Sequence, residues 1–214
     1  MLLCYITDRS QFLGDEIVRR RSLLRKIEEA AQAGVDYIQL REKDLPAREL
    51  EQLARQAMQA IRRASSAREP APRLLINSRT DISLAAGADG VHLPAGDIAP
   101  AEVRQTWKAS GARNAAVISV SCHSPAEVAR AAWAKAGLAI FAPVFEKRDS
   151  PGSLAAGLEG LRRACRFEIP VLALGGVTIE NARACLGAGA TGIAGIRLFQ
   201  ESDIGGVVSR LRQP

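Results

Sequence analysis

Short aliphatic and β-branched runs recur along the chain, separated by longer stretches in which apolar residues return every three or four positions. The first pattern marks buried strands and the second amphipathic helices. Strands are predicted over 2–7, 37–41, 74–77, 90–93, 116–121, 139–143, 171–174 and 191–196. Helices are predicted over 17–33, 47–64, 101–110, 125–135, 154–165, 179–186 and 204–211, with a short one over 80–86. Gly34, Gly87, Gly137 and Gly189 follow helix candidates where a left-handed cap is wanted, so the punctuation agrees with the periodicity.

Strict strand–helix alternation with continuous apolar strands implies a parallel sheet covered by helices. Eight such units fit a closed (β/α)8 TIM barrel, an α/β fold expected to form a single domain over 1–214. An open doubly wound sheet is the alternative, but Thr7-Asp8-Arg9 stands where its glycine-rich fingerprint would follow the first strand. The segment 65–72 fits an exposed helix-to-strand loop rather than a domain boundary.

A composition of 47% hydrophobic, 24% charged and 4% aromatic residues excludes disorder, collagen and a coiled coil. No apolar run approaches the roughly 18 to 20 residues of a membrane span, and Thr7-Asp8-Arg9 interrupts the opening run too early for a signal peptide. The expected location is therefore cytoplasmic, with no membrane partner. Cys4, Cys122, Cys165 and Cys185 lie far apart, which suggests buried thiols rather than a disulfide framework or a zinc knuckle. The net charge of +6 is spread through helix-like stretches such as Arg19-Arg20-Arg21 with no interleaved aromatics. That pattern reads as solvated helix faces, not a nucleic-acid surface, and its positive field favours small anionic substrates. No feature of the sequence sets an oligomeric state.

In barrels of this kind catalysis sits at the C-terminal strand ends. Polar residues expected there are Thr7, Asp8, Gln39 to Lys43, Asn77-Ser78-Arg79, His92, Asp97, Ser119, Ser121, His123, Glu146-Lys147-Arg148 and Gly175-Gly176. Arg41 and Lys43 lie two apart, so an extended strand end turns both to one side, a fork plus a point charge suited to a phosphate or diphosphate. The competing reading is a surface salt-bridge pair with Glu42 and Asp44. Gly175-Gly176 lies between a buried strand and a helix start, where bare N–H groups suit a phosphate, and Gly195-Ile196 is next door in a closed barrel. Glycines needed only for tight turns are the alternative there.

The two histidines are both acid–base candidates. His92 reads first as a satisfied buried side chain, whereas His123 stands beyond a strand end in Ser121-Cys122-His123-Ser124. No ligand cluster suggests a structural metal. A Mg²⁺ bridging a diphosphate needs only one or two carboxylates, and Asp97 supplies one.

These motifs, in order, resemble the thiamine phosphate synthase and thiazole tautomerase (TenI-like) superfamily over nearly the whole chain. The resemblance rests on Tyr5-Ile6-Thr7-Asp8, Gln39-Leu40-Arg41-Glu42-Lys43, Gly87-Ala88-Asp89-Gly90-Val91-His92-Leu93, Val120-Ser121-Cys122-His123-Ser124, Pro143-Val144-Phe145, Leu174-Gly175-Gly176-Val177 and Ala188-Gly189-Ala190-Thr191-Gly192. It implies a thiamine biosynthesis transferase that couples hydroxymethylpyrimidine diphosphate to thiazole phosphate, giving thiamine phosphate and diphosphate. Gln39 would contact the pyrimidine, and Arg41, Lys43 and Asn77 the diphosphate. Asp97 would hold Mg²⁺, Ser121 would face the reacting region, and the Gly175-Gly176 and Gly195-Ile196 loops would hold the thiazole phosphate.

Two departures stand out. Ser78 replaces a usual Mg²⁺ carboxylate, and Glu146-Lys147-Arg148 replaces a usual Thr-x-Thr-Lys segment, leaving Lys147 or Arg148 to stand in for its lysine. Leu93-Pro94-Ala95-Gly96 and the missing carboxylate resemble the tautomerase branch, which would aromatize a thiazole carboxylate phosphate with His123 as proton carrier. A non-catalytic binder of a thiamine-pathway phosphate is a third possibility. The synthase is preferred because Arg41, Lys43 and Asp97 are the groups a diphosphate requires.

Overall fold

The structure, a computed structural model, describes residues 1–65, 70–146, 155–201 and 203–213. Strands β1 (Leu2–Ile6), β2 (Tyr37–Leu40), β3 (Arg73–Asn77), β4 (Gly90–Leu93), β5 (Val117–Cys122), β6 (Leu138–Phe141), β7 (Val171–Ala173) and β8 (Gly192–Gly195) pair in parallel. Among the described residues they close into one barrel in sequence order, β8 returning to β1 through Leu2↔Gly192 to Tyr5↔Gly195. Between them run α1 (Glu16–Ala33), α2 (Ala47–Ala64), α3 (Thr80–Ala86), α4 (Pro100–Ala109), α5 (Pro125–Trp133), α6 (Gly157–Ala164) and α7 (Ile179–Gly187). After β8 come α8 (Arg197–Gln200) and α9 (Ile204–Arg212). The closed (β/α)8 barrel expected from the alternation is therefore the fold, not the open sheet.

Side chains alternate along each strand. One set, including Cys4, Ile6, Leu138, Ile140, Leu172 and Ala194, forms a compact apolar cluster, assigned by that alternation to the barrel interior. The other set, including Leu3, Tyr5, Ile38, Leu40, Leu74, Ile76 and Phe141, packs outward against helix residues such as Leu23, Ile27, Leu53 and Leu161. The apolar interior is not continued around the barrel: Gln39, Asn77, His92 and Ser119 occupy successive neighbouring positions, with Asn77↔His92 and His92↔Ser119 directly paired.

Local chemistry explains the helix ends. The Asp15 side chain accepts from the Val18 N–H at the start of α1, and Thr178 with Asn181 forms a reciprocal capping box on α7. Gly34 and Gly87 take left-handed caps as expected, with φ of 86° and 66°. Gly137 does not. Lys135 adopts the left-handed conformation instead (φ 56°), while the Gly137 N–H donates to the Ile118 carbonyl at 2.8 Å and brings the chain onto β5. The expected strands also overrun: β2 stops at Leu40, β6 at Phe141 and β7 at Ala173, where the chain leaves the ladder for the rim loops. The short α8 escapes a periodicity argument because four residues are too few to show one. Cys4, Cys122 and Cys185 are buried and Cys165 partly so, all as free thiols. Among the described residues no helix is long and apolar enough to cross a membrane.

Candidate active site

The rim after β2 is shaped by a cation outside it. Arg9, in the 3-10 turn Arg9–Gln11, is buried, and its guanidinium donates to Glu16 (2.8 Å), Glu42 (3.1 Å) and Asp44 (2.6 Å). Glu42 is buried too and also accepts from the Thr7 hydroxyl at 2.6 Å, while Thr7 Oγ1 accepts the Arg41 N–H at 2.9 Å. Burial pushes the Glu42 carboxyl above the ordinary range, with the bonds from Thr7 and Arg9 pulling the other way. The two acids that the competing reading made surface partners of Arg41 and Lys43 are thus engaged by Arg9. Among the described residues no ion pair involves Arg41 or Lys43.

Inside that rim lies a polar belt. Gln39 Nε2 donates to Asn77 Oδ1 at 3.0 Å, and Asn77 Nδ2 reaches Ser78 Oγ at 3.3 Å. This fixes the Gln39 amide with its Oε1 buried and without a partner among the described residues. His92 is 4% exposed and sits between two hydroxyls, Nδ1 2.7 Å from Ser119 Oγ and Nε2 2.9 Å from Ser121 Oγ. Burial, then the charges of Arg41 and Lys43, push its pKa down to about 4, so the ring is neutral near pH 7. A cavity of about 360 Å³ is lined by Leu40, Lys43, Asn77, Ser78, Arg79 and Pro94 among others. Across Pro94 a second, of about 260 Å³, touches Asp97 and Ser121.

The opposite loops are built by close approach. Gly175 and Gly176 have φ of 93° and 63°, and a Cβ on them would lie 2.8 Å from Pro143 Cα and 2.6 Å from the Glu146 carbonyl oxygen. Packing of the β7 loop on the β6 loop therefore demands both glycines whether or not an anion binds. None of the described backbone bonds engages the N–H groups of Gly176, Val177 or Ile196. Gly195 ends β8 beside Tyr5, and Ile196 stands at the start of α8. His123 is exposed; its Nδ1 lies 2.7 Å from the Ala142 carbonyl oxygen. A carbonyl only accepts, so Nδ1 carries the hydrogen and Nε2 keeps its lone pair in the neutral ring.

The structure thus brings Gln39, Asn77 and Ser121 into one polar belt, with Arg41 and Lys43 beside it, and sets the glycine loops and His123 on the β5–β8 side. Lys147 and Arg148 lie outside the described residues. Sequence reasoning gave Arg9 no role, singled out Ser119 only as a strand-end polar residue, and read His92 first as a satisfied side chain though also as an acid–base candidate. The available signal was the set of polar residues at interior positions of four consecutive strands.

Among the described residues no three His, Cys, Asp or Glu side chains gather to hold a metal ion. Asp97 is exposed, with Oδ1 accepting the Ile98 N–H at 2.8 Å, and Ser78 offers only a hydroxyl. One carboxylate fits an ion that arrives on a diphosphate, not a preformed metal site.

A (β/α)8 barrel with cations at its C-terminal rim and N–H groups at its last two loops that have no partner among the described residues defines a class of barrels suited to small phosphorylated ligands. The chain belongs to the thiamine monophosphate synthase family, which matches residues 3–199. It is 42% identical over 197 residues to a putative thiamine-phosphate synthase of Geobacter sulfurreducens, covering 90% of this chain and 83% of that one. It is 36% identical over 216 residues to a thiamine-phosphate synthase of Syntrophomonas wolfei, covering 99% and 94%. The solved structure of thiamine phosphate pyrophosphorylase from Pyrococcus furiosus superposes with a TM-score of 0.78 at 29% identity, covering 99% and 93%.

Proposed function

We propose that this chain is a thiamine-phosphate synthase, a cytoplasmic enzyme whose single barrel domain over 1–214 joins hydroxymethylpyrimidine diphosphate to thiazole phosphate. The observation that carries the reading is the pair Arg41 and Lys43, left without an ion pair among the described residues because Arg9 takes Glu42 and Asp44. A diphosphate leaves readily only where preorganised cations take up its charge, and this pair supplies them. Asn77 adds a donor beside them. The partnerless Gln39 Oε1 is a buried acceptor for the amino group of the pyrimidine, and Ser121 faces the reacting carbon. The N–H groups after Gly175 and beside Gly195 and Ile196 hold the thiazole phosphate, whose ring nitrogen attacks once diphosphate departs. Mg²⁺ would be held by Asp97 and the diphosphate oxygens, where it spreads the departing negative charge.

His123 favours a second reading. With Nδ1–H fixed on the Ala142 carbonyl, its Nε2 lone pair is available to move a proton, which is all a thiazole tautomerase needs. Purified protein given both synthase substrates, with and without Mg²⁺, should form thiamine phosphate. Failure to form it, together with aromatization of thiazole carboxylate phosphate, would replace the synthase by the tautomerase.

A further inference from the structure

We infer that His92 is a positioning residue that sets the direction of the Ser121 hydroxyl: Ser119 donates to His92 Nδ1, His92 Nε2–H donates to Ser121 Oγ, and the hydrogen of Ser121 is left for the substrate. The argument starts from Ser119. Its side chain is fully buried, and its hydroxyl has one described partner, His92 Nδ1 at 2.7 Å. If Nδ1 carried the hydrogen, it would donate to Ser119 Oγ and strand the Ser119 hydrogen in the interior with no acceptor, which burial disfavours. If the ring were cationic, both nitrogens would donate and the same hydrogen would be stranded. With Nδ1 as acceptor every group is satisfied, and the remaining ring hydrogen must lie on Nε2, 2.9 Å from Ser121 Oγ.

The consequence falls on Ser121. Its oxygen already accepts from the ring, so its own hydrogen cannot turn back to His92. Ser121 is the partly exposed end of the chain, at an interior position on the rim of β5, which leaves that hydrogen for a ligand acceptor, an anionic oxygen or a ring nitrogen. Successive hydrogen bonds polarise one another in a dry interior, which makes the terminal donor stronger than a lone serine. Burial and the nearby Arg41 and Lys43 charges keep the ring neutral, so the direction holds through the neutral pH range. Ser119 lies one pleat deeper on β5 and acts only through His92.

The direction of the chain is independent of the chemistry performed, while its effect on turnover rests on the synthase reading, so two measurements separate them. Heteronuclear NMR of the ring nitrogens in the wild-type protein near pH 7 should show His92 with bare Nδ1 and protonated Nε2. A ring protonated on Nδ1, or on both nitrogens, overturns the inference whatever the protein catalyses. In the coupling assay Ser119→Ala should lower kcat about ten-fold with little change in KM, since the substrate is still bound but meets an undirected hydroxyl. His92→Gln keeps an N–H donor close to the place of Nε2 and should recover most of the rate that the shorter His92→Asn loses. Full kcat in both Ser119→Ala and His92→Asn would overturn the positioning role. A wild type with the expected tautomer and no coupling would overturn the synthase reading alone.

Discussion

Acidification offers a direct measure of how far the barrel disfavours a charged His92. The unfolded chain binds a proton there near the ordinary pKa of 6.5, the folded chain only near 4. Between those values the unfolded state holds more protons, so stability rises with pH. The contribution is fully present above the unfolded pKa and is lost as pH falls toward the folded one. A fall from 6.5 to about 4 amounts to about 3 kcal/mol in total, of which about 2 kcal/mol is lost between pH 7 and pH 5. Glu16, Asp44 and Asp81, held low by arginines, and Glu180, held low first by its own backbone N–H, give up their share at more acid pH. Glu42, raised by burial, runs the other way, and it is common to any pair of variants compared. The chain has two histidines, so His123→Gln supplies a background with one. Urea unfolding at the two pH values should show that background losing about 2 kcal/mol more on acidification than His92→Gln/His123→Gln. Equal losses would refute the account of His92 as a buried neutral ring.

Three further outcomes are expected. Glu42→Ala strands the Arg9 charge and the Thr7 hydroxyl, and should cost about 3 kcal/mol in urea unfolding; the remaining Glu16 and Asp44 partners are solvent-screened, and Arg9→Met/Glu42→Leu should regain most of the loss. Lys43→Ala should slow coupling about 10²-fold or more and His123→Ala much less in steady-state assays, the reverse order marking a tautomerase. Calorimetry should find Mg²⁺ binding weak in the unliganded protein and strengthened by Ser78→Asp, which adds a carboxylate beside Asn77.

The barrel was legible because its signals are periodic and repeated, each strand apolar and each helix amphipathic. The polar belt was legible residue by residue but not as an assembly. Gln39, Asn77 and Ser121 were each singled out, yet what joins His92 to Ser121 is a strand register, which no linear spacing encodes. Arg9 was missed for the same reason. It lies 33 residues from Glu42 along the chain, and only closure of the barrel brings the turn after β1 against the loop after β2. The motif Arg41-Glu42-Lys43 therefore read as a phosphate fork with a self-neutralising run still open as the competing reading. In the fold its central acid turns inward and its two cations are left at the rim. For Gly175 and Gly176 the sequence showed two demands, turn geometry and anion binding, that it had no means to separate. The packing on Pro143 and Glu146 establishes the first demand independently of the second.

Ser78 shows how backbone and chemistry can part at one position. It takes a left-handed φ of 61°, a conformation uncommon outside glycine and eased for asparagine and aspartate. Its N–H donates to the His92 carbonyl at 2.8 Å, so this turn ties the end of β3 to β4 and sets Asn77 against Gln39. A serine preserves that turn at some local strain, and the polar belt survives. What it does not preserve is a second negative charge beside the cavity. In the synthase reading the ion must then draw its remaining anionic ligands from the diphosphate itself, so metal and substrate bind as one unit. The backbone of the Asn77-Ser78-Arg79 turn thus serves the histidine belt, while in the synthase reading its side chain would decide how far Mg²⁺ depends on the substrate that carries it.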